Sequence, residues 1–180
     1  MIIETPRLIL RPLVESDLDD LFEYQSDPGT VRYIPWSART KEEVGEALRK
    51  FHVLPDFTKD GDTALLGWEL KEVGKIIGQS NFTLESLLNQ KGVIGYVVHP
   101  NWAGQGYALE ATRALIKYVF ETFEVRRLTA TIDPRNQKSV ALIERLGFRL
   151  EGTFLEDELI KGEWVDTAIY ALRKSEYREI

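Results

Sequence analysis

The chain has 180 residues, of which 43% are hydrophobic and 29% charged, and its 23 basic and 29 acidic side chains leave a formal net charge of −6. It contains no cysteine and only two histidines, His52 and His99, which excludes disulfides, cysteine nucleophiles and zinc sites built on cysteine or three histidines. We therefore expect no metal. The acidic balance argues against a nucleic-acid partner. Catalysis, if present, must use carboxylates, hydroxyls, amides, backbone groups or a borrowed cofactor.

The length is typical of one domain, and we expect a single domain over residues 1–180. No window of about 20 apolar residues occurs, so no transmembrane helix or membrane partner is expected. The first residues lack a basic region followed by a long apolar stretch, so we expect no signal peptide and a cytoplasmic location. The seven tyrosines and four tryptophans are compatible with a homodimer interface.

Alternating and short apolar runs predict seven strands. They are residues 7–13, 63–70, 75–82, 92–99, 127–133, 148–158 and 163–172. The second and third should form one hairpin and the last two another, because only short turns separate them. The fourth is rich in β-branched residues and ends at Pro100, as is typical of a buried strand.

Capping residues and helical periodicity predict four helices. They are expected over residues 16–26, 40–54, 104–123 and 136–146. Ser16 and Asp17 are candidate caps of the first helix, Thr40 with Glu43 forms a capping box for the second, and Asn136 caps the fourth. The order of elements predicts a mixed α/β fold, in which the fourth and fifth strands are parallel and joined by a right-handed crossover.

One motif carries chemistry, the segment Gly104-Gln105-Gly106 between the buried strand and the long helix. Unpaired N–H groups and the positive end of the helix dipole meet there, and glycine lets a ligand approach the backbone closely. Such a turn suits phosphate, although an ordinary tight turn is the alternative. No P-loop string occurs. A dinucleotide fingerprint is incomplete, because Leu109 replaces its third small residue and Asp133 comes late for its acidic residue.

Several segments, in this order and spacing, resemble the GNAT N-acetyltransferase superfamily, and more closely the branch of the ribosomal-protein-alanine N-acetyltransferases. They are Thr5-Pro6-Arg7-Leu8, the run VVHPNWAGQGYALEA from Val97 to Ala111, Asn136-x-x-Ser139-x-x-Leu142, Leu146-Gly147-Phe148 and Gly162-Glu163-Trp164. The resemblance implies a central mixed sheet of about seven strands. Its two central parallel strands would splay apart, and helices would cover both faces.

The resemblance also implies acetyl-CoA as a co-substrate, held between the splayed strands without a metal. The pyrophosphate would lie on the loop backbone, the pantetheine arm would bond the backbone near Val97 and His99, and Asn136 and Ser139 would line the arm and the thiol. The implied cofactor-binding residues are Val97, His99, Ala103, Gly104, Gln105, Gly106, Tyr107, Ala108, Asn136 and Ser139.

Three positions depart from the family pattern. Asn101 replaces the usual Gln or Arg that begins the phosphate signature, Val93 stands where the branch commonly has an acidic residue, and Ile143 stands where many members have a tyrosine acid. CoA binding is therefore better supported by the sequence than any catalytic base or acid.

Ser139 is our candidate acid for the departing thiolate, because its spacing places it one helical turn beyond Asn136; a plain hydroxyl in a first turn is the alternative. Glu69 and Glu85 are candidate bases, against the alternatives of solvated side chains and a chain of waters. A backbone N–H near Val97 is a candidate oxyanion donor.

Tyr33, Trp36 and Trp102 are candidates for the acceptor cleft, with simple packing as the alternative. We expect direct transfer of an acetyl group to a primary amine, on a protein N-terminus or a small molecule, because no cysteine exists to carry the acyl group. The alternatives are a CoA-binding module that has lost catalysis and, third, a nucleotide-dependent oxidoreductase. The acceptor's identity is not encoded in any motif.

Overall fold

The computed structural model describes residues 1–51 and 53–178, so His52 of the predicted second helix lies outside the described residues. Over that part of the chain, eight strands form one sheet, in the spatial order β1-β2-β3-β4-β5-β6-β8-β7. The strands are β1 (Ile3–Glu4), β2 (Leu8–Pro12), β3 (Thr63–Leu70), β4 (Lys75–Ser86), β5 (Lys91–Val98), β6 (Arg127–Ile132), β7 (Arg149–Ile160) and β8 (Glu163–Arg173). The α-helices are α1 (Leu18–Gln25), α2 (Lys41–Phe51), α3 (Tyr107–Thr122) and α4 (Gln137–Arg145).

The sheet has one strand more than the predicted seven. The additional strand is β1, which pairs with β2 through Ile3↔Leu10 and Glu4↔Ile9. Two residues are too few to show a period-two alternation, so this strand left no pattern in the sequence. The predicted mixed α/β class is confirmed.

The strands β5 and β6 are parallel neighbours that soon diverge. They pair at three positions, Lys91↔Arg127, Gly92↔Leu128 and Val93↔Thr129. Beyond Val93, β5 continues to pair with β4, and β6 continues to pair with β8. A V-shaped gap therefore opens toward the C-terminal ends of both strands, which confirms the predicted splay.

Helices cover both faces of the sheet, as predicted. On one face α3 and α4 contribute Leu115, Val119 and Ile143 to the larger core cluster, which Ile94 of β5 joins. On the other face α1 and α2 form a second cluster, and Val97 of β5 packs against it. Because successive side chains of β5 face opposite sides, the gap beside this strand connects the two faces.

Two predicted helix caps are confirmed. The Thr40 N–H donates to Glu43 Oε2 at 2.7 Å and the Glu43 N–H donates to Thr40 Oγ1 at 3.3 Å, the reciprocal pattern of a capping box. The Ser139 N–H donates to Asn136 Oδ1 at 3.2 Å at the start of α4.

The predicted side-chain cap of the first helix is wrong. A short 3₁₀ turn (Glu15–Asp17) precedes α1, and Asp17 makes no side-chain cap bond at the N-terminus of that helix. Its carboxylate instead accepts from the Val14 N–H at 2.8 Å and from both Nη atoms of Arg11 at 2.8 and 2.9 Å. A bidentate guanidinium is a stronger partner than a neutral N–H, so it holds the carboxylate turned away from the helix.

Candidate active site

A cavity of about 210 Å³ fills the gap between β5 and β6. Its walls are residues 94–97, residues 130–133, the first turn of α4, residues 79–81 of β4 and the segment 33–36 between α1 and α2. Five side chains predicted from sequence lie together in this lining: Tyr33, Trp36, Val97, Asn136 and Ser139.

The backbone groups of β5 that face the gap belong to the residues next to Val97 and His99, the two that were predicted. The His99 N–H donates to Ile77 O at 2.9 Å, and its carbonyl accepts from the Trp102 N–H at 3.0 Å, so neither group of His99 is available to a ligand. Backbone groups alternate sides along a strand, so those of Val97 also face β4. The groups directed into the gap belong to Ile94, Tyr96 and Val98, which corrects the prediction.

The glycine loop has the backbone form of an anion site. Gly104 and Gly106 have φ of +80° and +84°. Gly106 is the N-cap residue before α3, and its carbonyl accepts from the Glu110 N–H at 3.0 Å. The N–H groups of residues 104–109 meet no hydrogen-bond acceptor among the described residues. Ala103, by contrast, donates to Pro100 O at 3.2 Å. A Cβ at position 104 would have no atom within 4 Å, so the loop is open to a ligand.

Two hydroxyls meet at the edge of the cavity. Tyr96 Oη lies 2.8 Å from Ser139 Oγ and donates to Ser139 O at 3.2 Å. Burial raises the pKa of Tyr96 to about 12, against the opposing effect of its bond to Ser139. The phenol is therefore protonated at neutral pH. Ile143, which is fully buried, occupies the position at which many family members have a tyrosine. The phenol beside this gap belongs instead to Tyr96 of β5.

Asp133 is the one carboxylate among the described residues that line the cavity. Its side chain is 7% exposed. It accepts from the N–H of Arg135 at 2.9 Å and from Arg135 Nε and Nη2 at 3.0 and 2.7 Å. Burial alone would raise the pKa of Asp133, but these bonds lower it. A carboxylate that is ionised and fully occupied is a weak proton acceptor.

Comparison with known proteins agrees with this geometry. Residues 7–149 match the Acetyltransferase (GNAT) domain family. The chain belongs to the GNAT acetyltransferase family. It is 32% identical over 173 residues to the uncharacterized N-acetyltransferase p20 of Bacillus licheniformis, covering 96% of both chains. It is 29% identical over 174 residues to the [ribosomal protein uS5]-alanine N-acetyltransferase of Escherichia coli, covering 93% of this chain and 88% of that one.

A solved GNAT structure confirms the fold. The acetyltransferase (GNAT family) of Bacillus anthracis superimposes with a TM-score of 0.87 at 28% identity, over 98% of this chain and 100% of that one. The resemblance to GNAT proteins that the motifs indicated is therefore confirmed, including its ribosomal-protein-alanine branch among the relatives.

Arg7 is a feature of this GNAT site that the sequence analysis missed. Its guanidinium lies 4.2 Å from the ring centroid of Tyr107, and its Nη1 donates to Gln105 O at 3.0 Å. Glu110 holds it in place, accepting from the Arg7 N–H at 2.9 Å and from its Nε at 2.6 Å. Burial would raise the pKa of Glu110, but bonds from Thr5 and Arg7 lower it. In the sequence, the segment Thr5-Pro6-Arg7-Leu8 had indicated the opening strand and the resemblance to the family, but no role for Arg7 at the loop.

Three other candidates lie apart from the GNAT cleft. Glu69 receives Arg11 Nε at 2.5 Å and does not line the cavity, and Glu85 is exposed near the far end of β4. Trp102 packs edge-on against Tyr107, with ring centroids 6.2 Å apart. This placement gives no support to Glu69 as a base.

The buried His99 ring is fully engaged within the fold. Its Nδ1 accepts from the Asn101 N–H at 3.1 Å, and its Nε2 lies 3.3 Å from Glu23 Oε2. Within residues 1–51 and 53–178, no three His, Asp or Glu side chains are grouped as a metal site would require. None of the helices in this part of the chain is long and apolar enough to cross a membrane.

Proposed function

We propose that the chain is an acetyl-CoA-dependent N-acetyltransferase that moves the acetyl group directly to a primary amine, specifically an α-amine. The observation that carries the proposal is the gap between β5 and β6. The gap opens toward the C-terminal end of β5, from which the chain continues into the glycine loop, and its cavity is lined by Tyr33 and Trp36. Two substrates can therefore approach one point from opposite faces.

The residues around the gap fit CoA chemically. The free N–H groups of residues 104–109 suit a pyrophosphate, since they combine open donors with a helix N-terminus. Of the predicted residues we retain Gly104, Gln105, Gly106, Tyr107 and Ala108, and we replace Ala103 by Leu109 because the Ala103 N–H is occupied. Arg7 adds a positive charge beside the loop, which compensates for the uncharged Asn101.

The pantetheine arm of CoA carries two amide groups. The backbone N–H and C=O groups of Tyr96 and Val98 can form hydrogen bonds with these amides, as they would with a neighbouring strand. This replaces the contacts first assigned to Val97 and His99. Asn136 and Ser139 line the same end of the gap, and we retain both near the thiol. Acetyl-CoA supplies an activated acyl group at this point.

Backbone and side-chain groups near the thiol can stabilise the charge that develops during acetyl transfer and can move the protons. A backbone N–H of β5, at Tyr96 or Val98, donates to the thioester oxygen as it gains charge, a contribution on the order of 3 kcal/mol. As the amine nitrogen bonds to the carbonyl carbon and the C–S bond breaks, the Ser139 hydroxyl gives its proton to the sulfur. Tyr96 Oη, 2.8 Å from Ser139 Oγ, restores that proton. Water takes up the proton that the amine loses and returns one to Tyr96, so both hydroxyls end the cycle protonated.

The absence of a free base favours an α-amine as acceptor. Asp133 is held by Arg135, and the other described residues lining the cavity are uncharged. The amine must therefore arrive neutral. An α-amino group has a pKa of about 7.7–8.0 and a lysine about 10.4, so near pH 7.5 roughly a third of α-amines are neutral but only about 0.1% of lysines.

The test mixes the protein with acetyl-CoA and three amines: an alanine-initiated peptide, an N-blocked lysine peptide and a polyamine. Release of free thiol should be fastest with the alanine-initiated peptide. Bound CoA with no turnover on any amine would favour a module that has lost catalysis. Thermal stabilisation by NAD and none by CoA would favour an oxidoreductase, since a ligand at 100 times its Kd adds about 2.7 kcal/mol of stability.

A further inference from the structure

We infer that Gln79 determines acceptor specificity, by donating a hydrogen bond from its side-chain amide to the carbonyl oxygen next to the acceptor's α-amine. The inference rests on the proposed function and goes beyond it. Gln79 lies on β4 opposite Val97, in the lining of the cavity. No motif pointed to it, because its partners come from a distant helix.

A chain of hydrogen bonds fixes which way the Gln79 amide points. Arg39 Nη1 donates to Gln25 Oε1 at 2.9 Å. A guanidinium only donates, so the oxygen of the Gln25 amide must face Arg39 and its nitrogen must face Gln79. The Gln25 nitrogen donates to Gln79 Oε1 at 2.9 Å, and Tyr24 Oη donates to the same oxygen at 2.8 Å.

The orientation leaves the Gln79 nitrogen unpaired. The oxygen has both of its acceptor positions filled, while Nε2 bonds to none of the described residues. Gln79 as a whole is 8% exposed. Among the described residues, Thr112 Oγ1 is the only side-chain polar atom that has neither contact with solvent nor a hydrogen-bond partner. Because Gln79 Nε2 has no partner either, it must be in contact with solvent. The amide nitrogen therefore touches open space, and the open space at Gln79 is the cavity.

A fixed, nearly buried donor aimed into a cavity selects a ligand with an acceptor atom at that place. Leaving such a donor unpaired costs about 1–3 kcal/mol. The cavity lining that includes Gln79 also contains Tyr33 and Trp36, from the segment that follows α1, and α1 packs on the face of the sheet opposite α3. An α-amine at a peptide N-terminus is followed by the α-carbon and then a carbonyl group, whose oxygen lies two bonds from the α-carbon. An alkylamine has no such oxygen.

The test uses two bisubstrate compounds that bind whether or not catalysis occurs. In both, CoA sulfur is joined through a –CH₂–CO– bridge to an amine nitrogen. One compound carries alaninamide, and the other carries isopropylamine, which lacks the carboxamide. Titration calorimetry with the full chain should show the alaninamide compound binding about tenfold more tightly. Binding within about twofold of each other would overturn the inference.

Variants then assign the effect to Gln79. Gln79→Glu keeps the oxygen that Tyr24 and Gln25 bond, but it turns the group facing the cavity from donor to acceptor. It should abolish the preference for alaninamide while leaving the Kd of CoA alone unchanged. Gln79→Met, a neutral variant of similar length, should also remove the preference if the charged variant folds poorly.

Asn81→Ala serves as the matched control. Asn81 lines the same cavity, and its carboxamide oxygen lies against Gly95, 2.6 Å from where a Cβ would stand. Loss of the preference in Asn81→Ala, with retention in both Gln79 variants, would overturn the assignment. Failure of the parent protein to bind CoA at all would instead reject the proposed function, so the two failures are distinguishable.

Discussion

Replacing Gly106 with aspartate tests the glycine loop directly. Gly106 has a φ of +84°, and a non-glycine residue in this region pays about 1 kcal/mol, which lowers Tm by about 2–4 °C in a chain of this size. The new carboxylate would also stand beside a phosphate. Two unit charges 4 Å apart repel by about 4 kcal/mol at an effective dielectric constant of about 20. Because the loop is exposed, about half of this should remain, and CoA should bind about thirtyfold more weakly.

The assay is CoA titration by calorimetry, with thermal unfolding of each variant alongside. Gly61→Asp is the matched control, because Gly61 also has a positive φ, +88°, and lies at the opposite end of the sheet, before β3. It pays the same backbone cost and adds the same charge. Its Kd for CoA should stay within about threefold of the parent. If Gly106→Asp binds CoA as well as Gly61→Asp does, the loop does not hold the pyrophosphate.

Two further predictions concern the chemistry. Ser139→Ala and Tyr96→Phe should each lower kcat by about tenfold with an unchanged Kd for CoA. The double variant should lose no more kcat than the worse single variant, because both hydroxyls act on one proton. Additive losses would show that the two hydroxyls act independently and would contradict the shared role. With a peptide acceptor, kcat/KM should rise with pH to the amine's pKa of about 8 and then stay level to about pH 10. Tyr96, with a pKa of about 12, remains protonated throughout, and Asp133, with its lowered pKa, remains ionised. A fall between pH 8 and 10 would contradict this.

The regular elements were predictable because each has a local cause. Thr40 with Glu43 begins α2, and Gly147, with a φ of +90°, follows α4 as a helix-terminating glycine should. The splay of β5 and β6 was different, since no residue type in either strand encodes it. It followed from resemblance to a family rather than from periodicity.

The residues of the site also differ in how far the sequence could predict them. The glycine loop, Asn136 and Ser139 were predictable because they are contiguous motifs. The donors of β5 were assigned one residue out of place, because which backbone groups face the gap depends on the register with β4, and the Ile77 contact that fixes it is distant in sequence. Gln79 depends on Tyr24 and Gln25, which lie 55 and 54 positions away. Such pairings arise only from tertiary structure.

The short pairing of β5 with β6 also bears on the mechanics of the whole molecule. Within the described part of the chain, three residue pairs at Lys91, Gly92 and Val93 form the only ladder between the larger half of the sheet, β1 to β5, and its smaller half, β6 to β8. Across the rest of the junction the two halves are held by side-chain packing, since the larger core cluster contains residues of both halves and of α3. A ligand arm that paired with Tyr96 and Val98 in the gap would add hydrogen bonds there, and its binding would stabilise the folded sheet. Amide hydrogen exchange at Tyr96 and Val98 of β5 would then report occupancy of the site independently of turnover.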